Sequence, residues 1–138
     1  MEQPEAGYRE IEHTADWQLE VWAPDLPALL EQAARGMYAL SGAKLGEGPQ
    51  VSRRFDVFGF DSEGFLVGFL SELLYLTEQE GLAFDQYFME VEWTGHLSVE
   101  VSGRQLVSLE KEIKAVTYHN LKVEKGPRGL QATIVFDV

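Results

Sequence analysis

The sequence contains no cysteine. That excludes disulfides, thiolate zinc sites and cysteine nucleophiles together, and it is compatible with a reducing compartment. Also missing is any run approaching the roughly 18 consecutive apolar residues that a membrane span needs. The opening stretch, MEQPEAGYRE, holds neither a basic region nor an apolar segment, so it does not read as a secretory signal. The expectation is a cytoplasmic protein without membrane association. Basic residues are scarce: 11 Lys and Arg stand against 23 Asp and Glu, a formal net charge of −12. A surface this acidic repels phosphate backbones, so strong direct nucleic-acid binding is not expected. Cations and basic protein surfaces are better partners, although acidity also simply aids solubility.

The familiar catalytic patterns are absent too. There is no dinucleotide-binding or P-loop glycine pattern, no HExxH zinc helix and no GxSxG elbow. His13, His96 and His119 lie far apart in the chain.

What is present is the material of one packed domain. A chain of 138 residues suits a single domain, and 45% hydrophobic and 12% aromatic residues supply its core. No repeat, low-complexity tract or linker divides it, so residues 1–138 are read as one unit. Gly7 to Glu12 and Leu19 to Trp22 read as short strands, with His13 to Asp16 as the turn between them. Asp25 then caps a helix, whose apolar face is Leu26, Leu29, Leu30, Ala33, Met37 and Leu40; Ser41 and Gly42 end it. Lys44 to Gln50, rich in Gly and Pro, reads as a loop. Val51 to Phe60 alternates as a strand buried on much of both faces. Asp61 and Ser62 punctuate it, and a second helix runs to about Glu80 with Phe65, Leu66, Phe69, Leu70, Leu73 and Leu74 at helical spacing. Gly64 and Gly68 weaken that helix by about 1 kcal/mol each relative to Ala, which points to close packing on a neighbour. Leu82 to Thr94 and Leu97 to Leu106 read as a hairpin about Gly95-His96. Lys111 to Thr117 has no clear pattern. Tyr118 to Lys125 and Gln131 to Val138 read as closing strands joined by Gly126-Pro127-Arg128-Gly129. Strands outnumber helices and meet in hairpins, which favours an α+β domain with a largely antiparallel or mixed sheet and two main helices.

Carboxylates stand at the boundaries of these elements. Asp16 lies in the first turn, Asp61 where a strand becomes a helix, and Asp137 next to last in the sequence, beside Val138, which adds its α-carboxylate if the chain ends there. Hard oxygen ligands from distant loci suit Ca²⁺ or Mg²⁺; His13 would add a nitrogen and tilt the site toward a transition metal. Each has a plain structural reading as well. Asp61 serves as a helix N-cap, Asp16 as a turn residue, Asp137 as an exposed strand end and His13 as a hydrogen-bonded structural histidine. Lys114 reads as a solvated lysine or as a contact to an anionic partner or phosphate.

Taken together, these segments resemble a known family. His13-Thr14-Ala15-Asp16, followed by Trp17-Gln18-Leu19-Glu20-Val21-Trp22, resembles the opening motif of archeases. Asp61, followed by Phe65-Leu66 and Phe69-Leu70-Ser71-Glu72-Leu73-Leu74-Tyr75, resembles their central acidic residue and amphipathic helix. Lys114-Ala115-Val116-Thr117-Tyr118-His119 resembles their lysine-bearing motif, and Phe136-Asp137-Val138 their acidic C-terminus. Gly64 and Gly68 depart from the better helix formers usual in that helix. The resemblance implies a compact α+β domain that is not itself an enzyme. It implies a protein cofactor of the RtcB-type RNA ligase, promoting guanylylation and multiple turnover in tRNA splicing or RNA repair. It also implies a divalent-metal site, Ca²⁺ foremost with Mg²⁺ or Mn²⁺ as alternatives, built from Asp16, Asp61, Asp137 and Val138, with a functional role for Lys114. His13 is carried as a further contact residue. The competing expectations are a metal-dependent phosphoester hydrolase using the same aspartates, and a general chaperone or modulator of nucleic-acid-modifying proteins.

Overall fold

The computed structural model describes residues 5–11, 17–92 and 94–138. Its elements run β1 (Gly7–Ile11), β2 (Trp17–Ala23), α1 (Leu26–Ser41), β3 (Lys44–Leu45), β4 (Val51–Phe58), α2 (Ser62–Glu80), β5 (Leu82–Glu92), β6 (His96–Ser108), β7 (Ala115–Thr117), β8 (Glu124–Gly126) and β9 (Gly129–Asp137).

The strands form two sheets with antiparallel pairing throughout. In the first, a five-stranded sheet, β1 pairs β2, β2 pairs β9, and β7 and β8 share the far edge of β9. In the second, of four strands, β6 is central, flanked by β5 on one side and by β3 and β4 on the other. Each helix touches both sheets: α1 packs on β1, β2 and β9 and also on β5, while α2 packs on β4 and β5 and also on β7. One continuous core results. Leu19 and Val21 of β2, Ile134 and Phe136 of β9, and Leu97, Val99 and Val101 of β6 close around Leu29, Leu30 and Met37 of α1 and Leu66, Phe69, Leu70 and Leu73 of α2. Burying a side chain of this size contributes about 1.5–3 kcal/mol.

Both helices begin and end on chemistry visible in the chain. Asp25 is extended and accepts a hydrogen bond from the Ala28 amide at 2.9 Å, with Pro27 in the first turn. Asp61 does the same for α2, accepting from the Gly64 amide at 2.7 Å. Gly42 and Gly81 close the two helices in the left-handed conformation. The expected close packing around Gly68 is present: a Cβ there would sit 2.6 Å from Val57 Cγ1, so helix α2 lies directly on β4. At the other end of α2, Glu80 receives the Arg53 guanidinium at 2.7 Å, pinning the helix to the same strand.

Three expectations need correction. Lys44 to Gln50 is not loop alone, because Lys44 and Leu45 pair with Ser108 and Leu106 of β6. β4 is not buried on both faces: Val57 is buried, whereas Phe58 is 74% exposed, and Phe60 lies beyond the strand and in full solvent. Tyr118 to Lys125 is not a continuous strand. Only Glu124 to Gly126 pairs with β9. The segment before it packs Leu121 and Val123 on the core from a loop, whose Val123 amide donates to the Glu63 carboxylate at 3.0 Å. Glu12, the last residue of the first expected strand, and the turn His13 to Asp16 lie outside the described residues.

Candidate functional site

Of the residues singled out from the sequence, Lys114, Asp137 and Val138 fall at one end of the β7–β9 pair, and Asp61 at the N-terminus of α2, toward the other end of β7. Lys114 and Asp137 are brought together. The Lys114 amide donates to the Asp137 carbonyl at 2.8 Å, continuing the ladder in which Ala115 faces Asp137. Both side chains are exposed, and Val138 packs against the edge of the core. Trp17, at the start of β2, faces Phe136 across the other side of β9, so the beginning of β2 and the end of β9 share one end of the sheet. Asp61 stands exposed at the start of α2. Tyr118, just past the other end of β7, lines the same groove as Asp61. The extended backbone from Lys114 to Tyr118 spans roughly 13 Å, and Lys114 itself lines a different hollow, between the C-terminal halves of α1 and α2. His13 and Asp16 lie outside the described residues.

Among the described residues, no three His, Asp or Glu side chains converge closely enough to hold a metal ion. The carboxylates of Asp61 and Asp137 nevertheless suit a hard cation in kind: both are exposed all-oxygen donors, and no described Lys or Arg pairs with either. Asp61 uses Oδ1 for the helix cap, which leaves its second oxygen available.

Two features escaped the sequence reading. The first is a groove of about 890 Å³ whose walls are Phe58, Phe60, Asp61, Glu92, Thr94 and Tyr118. Its floor joins two distant turns. The Gly59 amide donates to the Gly95 carbonyl at 3.0 Å, and Gly95 takes a φ of 74° that favours glycine. A Cβ on Gly95 would come within 2.5 Å of the Gly59 carbonyl oxygen. Phe58 and Phe60 read as core residues in the sequence because alternation alone does not say which parity faces water. The second is a buried polar pair. The Tyr38 and Thr77 hydroxyls share a hydrogen bond of 2.9 Å between the two helices, although 39 residues separate them. Burial pushes the Tyr38 hydroxyl up to about 12, partly offset by its hydrogen bonds to Thr77 and to the Phe84 backbone. Burial likewise raises the Tyr87 hydroxyl, which donates to the Phe84 carbonyl. No periodicity in the chain announces a contact across such a separation.

Two antiparallel sheets clasping two helices, with exposed acidic and aromatic side chains around one groove, define a small acidic α+β domain. Comparison with known proteins narrows this class. Residues 8–138 match the model of the Archease protein family (MTH1598/TM1083). The chain is 35% identical over 142 residues to the protein archease of Methanosarcina acetivorans, covering 95% of each chain. It is 32% identical over 130 residues to that of Thermococcus kodakarensis, covering 88% of this chain and 91% of the other. Among solved structures, the Thermotoga maritima protein described as an archease and possible chaperone superposes with a TM-score of 0.70 at 27% identity, covering 100% of this chain and 98% of that one. Protein 1598 of Methanobacterium thermoautotrophicum shares the fold with a TM-score of 0.71 at 19% identity, over 96% and 99% of the two chains. The chain belongs to the archease family.

Proposed function

We propose that this protein is a metal-binding activator of an RtcB-type RNA ligase, promoting guanylylation and multiple turnover in tRNA splicing or RNA repair without catalysing a reaction itself. Membership of the archease family supports the general role of RNA-ligase activator, and the match over residues 8–138 is the observation that carries it. The net charge of −12 supports it further, since the domain is suited to a basic protein surface and not to RNA. In this reading Asp16, Asp61 and Asp137, with oxygen from Val138, hold a divalent cation, Ca²⁺ in the first instance and Mg²⁺ or Mn²⁺ in the second. Such an ion would be the largest local charge at the site and would set the electrostatics around it. The chain's own contribution is positional. The Gly64 amide orients the Asp61 carboxylate, the β7–β9 ladder fixes Asp137 beside Lys114, and Lys114 offers a cation to a phosphate or to a carboxylate of the ligase.

The test is multiple-turnover RNA ligation by the cognate ligase, with and without the protein. Wild type accelerates turnover, and Asp61→Asn and Asp137→Asn do not. Calorimetric titration with Ca²⁺ shows binding to wild type and loss of it in both variants. A ligation rate indifferent to the wild-type protein overturns the activator reading. Full stimulation by both folded variants overturns the carboxylate site.

A further inference from the structure

Three of the exposed aromatic side chains of the described molecule gather at the margin beside Asp61. Phe58 is 74% exposed, Phe60 108% and Tyr118 61%, and all three line one groove. Scattered exposed apolar residues are ordinary; a cluster rimmed by polar groups in a concavity marks a place where another molecule sits. The groove's charged lining is of one sign: among the described residues it consists of Asp61 and Glu92, with no Lys or Arg. The walls come from the β4–α2 connection, the β5–β6 hairpin and the segment after β7, and the hydrogen bond from Gly59 to Gly95 locks the first two together. Phe58 is held further by stacking on the His96 ring, 4.9 Å between centroids, and His96 is itself hydrogen-bonded to Asp56 at 2.6 Å. These ties hold the groove's shape before a partner arrives, which limits the ordering cost of binding.

We propose that this groove is the docking surface for the ligase, receiving a segment that presents an apolar side chain to Phe58, Phe60 and Tyr118 with Lys or Arg flanking it against Asp61 and Glu92. The proposal rests on the activator reading and deepens it by separating attachment from stimulation. Apolar anchoring supplies affinity, while the acidic rim selects a basic segment and speeds its approach. Because the groove contains Asp61, docking there brings that candidate metal ligand to the ligase in the same event.

The experiment measures ligase binding directly, by biolayer interferometry with the intact protein, in parallel with the ligation assay. The variants are Phe58→Ser/Phe60→Ser together and Glu92→Lys. All three positions are exposed, and circular dichroism and the melting midpoint confirm folding. The double serine variant binds at least about tenfold more weakly than wild type, as expected on removing aromatic anchors. Glu92→Lys loses affinity chiefly through slower association. Raising the concentration of the double variant restores stimulation, because its carboxylates are intact. Wild-type affinity in both variants overturns the groove assignment while leaving the activator reading untouched. Wild-type protein that neither binds nor stimulates the ligase overturns both.

Discussion

Asp61 directs one carboxylate oxygen to the Gly64 amide and presents the other to solvent at the edge of an acidic groove. Its two roles separate by substitution. Asp61→Ala removes the cap and the charge, and denaturant unfolding should show a loss of about 1 kcal/mol. Asp61→Asn keeps a capping oxygen, so its stability should stay within a few tenths of a kcal/mol of wild type. Both should fail to stimulate ligation. A second residue-scale prediction concerns Tyr38. Its hydroxyl titrates at about 12 in the fold against 10.0 in the unfolded chain. The folded state therefore keeps the proton longer. The stabilisation is complete below pH 10 and is lost as pH rises from there toward 12, at up to ~1.4 kcal/mol per pH unit for one group. The buried Tyr87 hydroxyl, raised in the same direction, steepens the fall. Tyr38→Phe should cost about 1 kcal/mol at neutral pH through the lost bond to Thr77 and should show a shallower decline above pH 10 in denaturant titrations. Residue by residue, the candidate site was only partly legible. Asp61 and Asp137 stood out because they sit at element boundaries, and Lys114 because of its surrounding motif. Phe58, Phe60 and the Tyr38–Thr77 pair did not, because exposure and contacts across long separations depend on how elements stack.

At the scale of elements, legibility followed the strength of local signals. α1 carries an Asp cap, an apolar stripe and a terminal Gly, and its observed limits, Leu26–Ser41, agree with that reading. α2 was legible for its cap and its apolar density. Its buried residues spread around much of its circumference, Val67 and Leu76 included, because it touches both sheets. β3 was hidden by the glycines and proline around it, and only the edge of β6 gives those two residues a ladder. The segment from Leu121 to Val123 misleads because Leu121 and Val123 pack against the core from a loop, with the Glu63 carboxylate taking the place of a strand partner for the Val123 amide. The contact of α2 with β4 supplies a third prediction. Gly68→Ala gains up to about 1 kcal/mol of helix propensity, but its methyl group meets Val57 at 2.6 Å, and overpacking of this kind costs ~1–3 kcal/mol. Net destabilisation is expected. Val57→Ala in the same chain should relieve it, so a double-mutant cycle should return a favourable coupling between the two substitutions.

At the scale of the whole molecule, the charge of −12 acts on encounter more than on the fold. Salt shortens the screening length from ~10 Å at 0.1 M to ~3 Å at 1 M. Association with the basic segment of the ligase should therefore slow markedly across that range, while dissociation, governed by the aromatic anchors, should change little. Stopped-flow or interferometric rates in a salt series check this; a salt-independent association rate would remove the electrostatic part of the account. The α+β class and the prevalence of hairpins were legible from the order of elements. The division into two sheets was not, because it is decided by which distant strands meet: β2 with β9, and β3 with β6.

That first pairing also governs how the protein is made. β9 emerges from the ribosome after the other eight strands described, yet it occupies the middle of its sheet, between β2 and the short strands β7 and β8. A nascent chain that has not yet exposed Gly129 has β1 and β2 in hand but nothing to join them to β7, and Leu19 and Val21 have no Ile134 or Phe136 to close against. The second sheet, complete at Ser108, can assemble during synthesis, whereas the first waits for translation to deliver its centre. Closure of the first sheet thus depends on Gly129–Asp137, and a chain truncated before that segment is one that the cell must shelter or destroy.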